Sequence, residues 1–469
     1  MLLGGCALQP AYQRPALPMP AAWSNAGAGA PQQADAGDWW KRLNDPAVDQ
    51  LVSAGLSDNP TLAEAAARVD LARAALGLAD AEKPPKLGVA AGAAQSRQPA
   101  GTATTRQSAA DIGASLSWEI DLWGRVRASS AAAHHRLTAR TAEAGAARLS
   151  VAADIADAVL ALRACNLLLD IRERDIASRE TELEISRARL TLGSIAPARL
   201  ATAQSNLASA RTDRIAQEEV CTRLVDALVA LSGVEAADVR KAMQQTDGLD
   251  SQLPEPPPFV PELPATLLLG HPSVIAAERE VAARWSDIAV ARAERLPRLD
   301  LAAALTGQWI RVLGSNAALV SGSAGAALTG SLLDGGAGAA NVRGAEAAYR
   351  EAVAQLAGAV RAAVRDIEDG LAARRSADQR IETTVAALTA ARFAMQADEA
   401  RWRAGAIAQY ELEDSRRQYN RSQESVIVAM ADRARAWVML VRRSGTSWNS
   451  AAAASGQAGL ANGSFDERG

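Results

Sequence analysis

The chain has 469 residues and a formal net charge of -3 at pH 7, so it has no strongly charged surface to attract nucleic acid. Aromatic residues make up only 4% of the sequence, which favours long helices packed side by side over one thick globular core. No window approaches the ~20 apolar residues that a membrane-spanning helix needs. The three histidines show no metal-ligand spacing, so no metal site is predicted.

The sequence is internally duplicated. A segment that begins at Asn59-Pro60 and ends near Gly233 is matched by one that begins at His271-Pro272 and ends near Gly445, 212 residues later. We therefore expect two structurally equivalent halves, residues 59–233 and 271–445, joined by a linker within residues 234–270.

The first half begins with a helical pattern from Pro60 to about Lys83. Alternating apolar residues then predict a strand over residues 87–95, and the polar, Gly/Thr/Ser-rich residues 96–108 predict a loop. Residues 112–120 alternate most clearly and predict a second strand.

The second half repeats this hairpin, with strands predicted over residues 299–309 and 324–332. Each strand has roughly 10 residues, the length that spans a bilayer when tilted. Alternation with tryptophans near the strand ends is typical of membrane barrels, but a soluble sheet with one wet face explains it equally well.

Long helices follow each hairpin. Residues 126–192 contain no proline and only one glycine, which predicts a helix of about 67 residues, roughly 100 Å long. A turn and a shorter helix over residues 199–231 follow, and the second half repeats the pattern over residues 341–404 and 411–441. Helices of this length imply a coiled-coil-like assembly.

Cys165 and Cys221 are predicted to lie on the two antiparallel helices of the first half, residues 126–192 and 199–231, which together form the first hairpin of helices. Counting outward from a turn near Ile195-Ala196-Pro197 places Cys165 opposite Asp226, an offset of roughly 8 Å from Cys221. No disulfide is therefore expected, and both cysteines are interpreted as small buried apolar residues.

Four strands cannot close a barrel, because single-chain bacterial barrels begin at about eight strands. Three copies of the chain would supply 12 strands and a similar number of helical columns. The pattern therefore predicts an oligomer.

Several motifs in this order resemble the TolC-type outer-membrane efflux ducts, in particular the lipoprotein branch called NodT-like or OprM-like. These motifs are Tyr12-Gln13-Arg14-Pro15, Trp39-Trp40, Asp45-Pro46, Asn59-Pro60-Thr61-Leu62, residues 117–125 and Leu332-Leu333-Asp334-Gly335-Gly336. The resemblance spans nearly the whole chain.

The resemblance implies an α+β fold in which the two β-hairpins of each chain contribute to a 12-stranded trimeric outer-membrane barrel, continuous with a long periplasmic helical barrel. Residues 38–58 and 234–270 and the tail 446–469 would form an equatorial collar. The implied function is a passive exit duct without enzymatic chemistry, cofactor or metal. Its implied partners are a periplasmic adaptor protein, an inner-membrane resistance-nodulation-division pump and outer-membrane lipid.

Residues 1–37 are interpreted as a lipobox followed by an extended tether. Leu3-Gly4-Gly5-Cys6 resembles a lipobox, so Cys6 is the predicted site of lipidation. A secretory signal needs a charged region and 7–15 apolar residues before that point, whereas only Met1, Leu2 and Leu3 precede the lipobox. We therefore expect an upstream segment, and the alternative is that the cysteine is incidental.

The resemblance also implies a periplasmic gate just after the turn at Gly405, formed by rings of Tyr410 and Asp414. The two residues lie four apart and so face the same side of a helix. Their equivalents in the first half, Ala198 and Thr202, are small and uncharged, so only the second half would supply the rings.

Two alternatives stay open. The acidic residues Glu411, Glu413 and Asp414 could instead form a solvated helix start that is stabilised by the helix dipole. The whole chain could instead be a non-conducting trimeric coiled-coil protein with a structural or adhesive role, although such a stalk needs no membrane-length hairpins.

Overall fold

The computed structural model describes residues 11–17, 19–25, 38–100, 103–244, 253–259, 264–312 and 315–445. The chain divides into two compact units, and each unit takes segments from both halves of the duplication. Unit 1 comprises residues 1–17, 67–141 and 275–359, and unit 2 comprises residues 18–66, 142–274 and 360–469.

Within the described residues the chain forms a 3₁₀ helix, nine α-helices and four strands. In chain order these are the 3₁₀ helix Trp39–Leu43, α1 Pro46–Asp58, α2 Pro60–Asp80, β1 Lys86–Ala100, β2 Ala103–Ile120, α3 Arg125–Thr191, α4 Pro197–Ser232, α5 Ala236–Gln244, α6 Pro264–Gly270, α7 Pro272–Ala293, β3 Arg298–Val312, β4 Ser315–Thr329, α8 Ala337–Arg403 and α9 Gln409–Ser444. None of the described helices combines the length and the hydropathy that crossing a membrane requires.

The order of elements is the same in both halves, as the sequence predicted. α3 and α8 have 67 residues each, and α4 and α9 have 36 residues each. A hydrogen bond repeats as well. The Asn59 side-chain amide donates to the carbonyl oxygen of Leu231 at 2.8 Å, and Nε2 of His271 donates to that of Arg443, 212 residues later, at 3.1 Å. Each half therefore ties the residue before its first helix to the end of its last helix.

The long helices match the sequence prediction because proline and glycine mark their limits. α3 spans Arg125–Thr191, one residue from the predicted 126–192. α4 begins with Pro197, whose missing N–H costs nothing in the first turn of a helix, and ends at Ser232.

The four strands form one antiparallel sheet in the order β1-β2-β3-β4. The strands have 15, 18, 15 and 15 residues, longer than the predicted 10. The predicted loop at residues 96–108 is wrong, because β1 and β2 stay paired up to Ala100 and Ala103. Polar side chains do not end a strand as long as the neighbouring strand satisfies its backbone groups.

The two faces of the sheet differ in chemistry. The apolar face carries large hydrophobic side chains from all four strands, which the pairing register brings into rows: Leu87, Val89, Ile112, Leu116, Trp118, Leu299, Leu301, Leu305, Trp309, Val320 and Leu328. The opposite, polar face carries mainly Ser, Thr, Gly, Ala and Asp. Val89 and Val320 are 84% and 74% exposed, so a single chain leaves the apolar face uncovered.

The core of unit 2 is built around tryptophans. The ring of Trp39 lies 5.9 Å from that of Trp40 and 5.7 Å from that of Trp437 in α9. Val48 and Leu51 of α1 are fully buried in the same cluster. The short segment between residues 39 and 58 is therefore anchored by bulky side chains.

A buried ion pair lies beside this core. Asp45 has no exposed surface, and its carboxylate accepts from Nη2 of Arg163 in α3 at 2.7 Å and also from Nε. The same carboxylate accepts from the N–H of Ala47 at 2.9 Å, which caps the start of α1. Asp45 therefore links α1 to α3 as well as capping the start of α1.

The expectation for Cys165 and Cys221 is wrong, because the two residues form a disulfide with their Cα atoms 5.7 Å apart. Both are buried, as predicted. The midpoint between positions 165 and 221 is residue 193, whereas the prediction centred the turn near residue 196. Moving the centre by that much shifts the facing residue by about five positions, which accounts for the error.

The described residues before Trp39 form neither helix nor strand and contact the helices through side chains and backbone. In unit 1 the Tyr12 hydroxyl donates to the buried carboxylate of Glu278 at 3.0 Å, and burial raises the pKa of Tyr12. In unit 2 the N–H groups of Ser24 and Asn25 donate to Glu368 of α8 at 2.6 and 3.0 Å. These contacts hold the segment against the helices.

Candidate functional site

The turn between α8 and α9 has the same backbone as the turn between α3 and α4. Gly193 and Gly405 both adopt positive φ angles, +68° and +70°, which glycine tolerates without strain. Their N–H groups donate to the carbonyl oxygens of Leu190 and Trp402 at 2.9 and 2.8 Å. The two turns therefore have equivalent backbones and differ in the side chains that they carry.

Tyr410 lies in the first turn of α9 and is 56% exposed. Its side chain lines a cavity of about 280 Å³ together with Glu182 of α3 and Thr202 of α4. Thr202 is the first-half equivalent of Asp414, so the two turns meet at this cavity. The structure thus brings one predicted gate residue against the first hairpin of helices.

Asp414 lies one turn after Tyr410, and its side chain is 80% exposed. Its carboxylate accepts from Nη2 of Arg417 at 3.3 Å, and Nη1 of the same arginine donates to Glu182 of α3 at 3.0 Å. The Arg417 side chain is only 14% exposed. Arg417 therefore connects the exposed Asp414 to Glu182 of α3, and the sequence did not predict this contact.

Glu413 is the second residue that sequence reasoning missed. The alternative interpretation of the sequence places it in a solvated helix start, but it has no exposed surface. Its carboxylate accepts from the Ser178 hydroxyl of α3, from Nε2 of Gln409 at 2.8 Å and from Nη1 of Arg416 at 2.9 Å. Glu411 and the exposed Asp414 match the helix-start interpretation, and the Glu411 carboxylate accepts from the N–H of Ala408 at 3.3 Å.

Further ion pairs join α3 and α9 away from the turns. Arg172 lies 2.9 Å from Glu424, and Arg435 binds both oxygens of Asp157 at 2.8 and 2.9 Å. Burial raises the pKa of Glu424, although Arg172 opposes this effect. The charged contacts therefore follow α9 along α3 and are not confined to the turn.

Cys6, the predicted lipidation site, lies outside the described residues. Among the residues that the structure describes, no three His, Cys, Asp or Glu side chains are grouped so that they could hold a metal ion.

Comparison with known proteins gives consistent matches over most of the chain. The profile of the family described as "Outer membrane efflux protein" matches residues 51–234 and 263–446, well over half of the chain. The chain is 28% identical over 460 residues to outer membrane protein OprJ of Pseudomonas aeruginosa, covering 96% of this chain and 94% of OprJ. It is 25% identical to nodulation protein T of Rhizobium leguminosarum bv. viciae, covering 94% and 90%. The solved structure of the outer-membrane channel OprN matches with a TM-score of 0.81 at 25% identity, covering 94% of this chain and all of that one.

Proposed function

The chain belongs to the outer membrane efflux protein family, and from this premise we propose that it is the trimeric exit duct of a tripartite efflux system. It conducts small molecules passively from the periplasm to the exterior, and the energy comes from an inner-membrane pump of the resistance-nodulation-division class. A periplasmic adaptor protein joins the pump to the duct. The family membership favours this role over a non-conducting adhesive stalk.

The surfaces that a single chain leaves uncovered support a trimer. α2 has no buried residue, and its Leu71 and Leu78 are 71% and 74% exposed. In the sheet, β1 and β4 are outer strands with one unpaired edge each, and unpaired edges cannot remain open in a bilayer. Three copies of the sheet supply 12 strands, which closes the barrel in the outer membrane.

The apolar face of the sheet supports its placement in lipid. Large hydrophobic side chains are exposed on that face, whereas the polar face carries mainly small, hydroxylated and acidic residues. This is the pattern of a barrel whose outside contacts lipid and whose inside contacts water. The long helices that follow the strands then form the periplasmic part of the duct.

The turn of α8 and α9 forms the periplasmic gate in this proposal. The carboxylate of Asp414 is exposed in one chain and is free to meet its two symmetry copies at a narrow trimer axis. Arg417 holds this segment to Glu182 of α3, so the contact acts as a latch for the closed tip. Tyr410 contributes a ring of aromatic side chains next to the acidic one.

Single-channel conductance in planar bilayers tests the gate. Three carboxylates near one axis repel one another and attract cations. If interhelical contacts hold them close, Asp414→Ala should raise the conductance and lower the cation selectivity. Thr202→Ala, the equivalent change in the first half, should do little. Unchanged current and selectivity in Asp414→Ala would remove the gate assignment and leave the duct intact.

The lipid anchor at Cys6 is part of the same proposal. It supplements the membrane attachment that the barrel provides, since one or two acyl chains give far weaker binding than a spanning structure.

A further inference from the structure

Three arginines lie close together at the hairpin end of the sheet. The pairing register sets Arg97 of β1 directly opposite Arg106 of β2, and Arg311 of β3 opposite Ser108 of β2. Opposed residues of antiparallel strands have Cβ atoms ~4.5–5.5 Å apart, and diagonal neighbours such as Arg106 and Arg311 are ~7–8 Å apart. The three long side chains can therefore reach a common point.

All three arginines lie on the apolar face. Successive residues of a strand alternate between faces, so Arg106 shares a face with Ala110, Ile112 and Leu116 of β2. The register then places Arg97 and Arg311 on this face as well. Positive charge thus borders the apolar surface at the strand ends farthest from those that join the helices.

The strands provide no counter-ion on this face. Their carboxylates are Asp111, Glu119 and Asp300, and alternation puts all three on the polar face, where Glu119 is paired with Asp300. Like charges directly opposite each other destabilise a sheet. Binding of an anion from outside the chain would therefore reduce the repulsion between the paired Arg97 and Arg106.

Arg311 lines a cavity of about 730 Å³, and eight of the twelve lining residues belong to the apolar face. Arg97 and Arg106 form the next row of this face, toward the hairpin end. The polar lining side chains of the cavity, Gln95, Ser108, Arg311 and Asn316, meet in one row of the register. The next row, toward the helices, is Ala93, Ala110, Trp309 and Ala318, which are all apolar. The cavity is therefore polar at one end and apolar at the other, which suits an amphiphilic ligand.

We propose that this surface binds the phosphorylated headgroup of an outer-leaflet glycolipid of the lipid A class. Arg97, Arg106 and Arg311 hold a phosphate, because guanidinium groups bind phosphate oxygens in a bidentate manner. The acyl chains follow the alanines and Trp309 toward the middle of the bilayer. The inference rests on the proposed function, which puts this end of the sheet at the outer leaflet. A second copy of the chain that stacked on this face through the same surface would bring the same three arginines, and the like charges would repel one another.

Lipid binding to the purified full-length protein in detergent tests the proposal. Diphosphorylated lipid A is titrated and the bound lipid is counted as mass adducts in native mass spectrometry. Removing the phosphates from the lipid should weaken binding about tenfold or more, and so should R106Q/R311Q. The control K86Q/R298Q also removes two positive charges, but at the strand ends that join the helices, and it should leave the affinity unchanged.

Equal affinity for lipid A with and without its phosphates would overturn the proposal, and so would equal loss in the two double variants. Inorganic phosphate is also tested as a competitor of lipid A. If its affinity equals that of lipid A per phosphate group, the site binds a free anion and the lipid assignment is wrong. If R106Q/R311Q does not assemble, the comparison of the two lipids on the unaltered protein decides. Channel formation in lipid A-free bilayers is measured in parallel. Channels without phosphate-dependent lipid binding would refute this inference alone, whereas failure to form channels in bilayers both with and without lipid A would refute the proposed function.

Discussion

Removing the Asp45 carboxylate should destabilise the protein more than any exposed charge change. Asp45→Ala strands the guanidinium of Arg163, which is only 7% exposed, without its partner. Breaking a buried pair from one side typically costs ~3–5 kcal/mol. The loss of the α1 cap adds ~1 kcal/mol, so we expect a loss in the free energy of unfolding near the upper end of that range.

Denaturation of the purified protein in detergent measures this change. Tryptophan fluorescence is a suitable signal, because Trp39, Trp40 and Trp437 pack in the core beside the ion pair. Asp45→Asn separates the two effects, since asparagine caps a helix well but carries no charge. It should retain the cap and lose most of the ion-pair contribution.

The matched control is the pair of Asp70 and Arg73 on α2, whose side chains are 70% and 65% exposed. Asp70→Ala should change stability by less than ~1 kcal/mol. The double variant D45A/R163M should be more stable than D45A, because it removes the stranded charge. A loss in D45A no larger than in D70A, or no recovery in the double variant, would refute this reasoning.

Two further predictions concern single residues. Burial lowers the pKa of His271, whose Nδ1 is buried without a hydrogen-bond partner, so the unfolded chain binds a proton at higher pH than the folded one. The free energy of unfolding should therefore fall as the pH drops below ~6.5. His271→Asn, which installs the residue found at position 59, should reduce this fall when denaturation is measured from pH 7 to pH 5. An unchanged dependence of stability on pH in this variant would contradict the prediction. Cys6→Ser, expressed with an upstream export signal, should lose a lipid-sized mass increment and still insert into the outer membrane, and identical masses would exclude Cys6 as the anchor.

The helices could be predicted from the sequence because their signals are local. Proline and glycine limit the runs of residues that became α3, α4, α8 and α9, and the predicted bounds differ from the observed ones by a few residues. Because the sequence is duplicated, each element is predicted twice, from two different stretches of sequence. Local signals that occur twice are therefore enough to define most of this fold.

The remaining features depend on partners that are distant in the sequence. The disulfide of Cys165 and Cys221 was missed because a shift of a few residues in the turn changes which residues face each other. Burial of Glu413 depends on Ser178, 235 residues away, and no local pattern distinguishes it from a solvated acid. The strands at residues 96–108 were missed because their pairing, and not their side chains, keeps them extended.

The duplication also shows where the two halves differ. The disulfide joins α3 and α4, whereas the equivalent positions in α8 and α9 are Ala377 and Arg433. Conversely, the charged residues Glu413, Asp414 and Arg417 have Ala201, Thr202 and Ser205 as their first-half equivalents. The first hairpin of helices is thus held covalently, and the second is held to α3 by contacts that can break and re-form.

The latch between Arg417 and Glu182 should therefore control opening of the duct. Arg417→Gln and Glu182→Gln should each raise single-channel conductance, and the double variant should raise it no further, because both remove one contact. The matched control is the pair of Arg211 and Glu180, which joins α4 to α3 at 2.8 Å without involving α9. R211Q/E180Q should leave the current unchanged. Additive effects of the two latch variants, or an equal rise in the control, would show that general loosening of the helices and not this contact governs the opening.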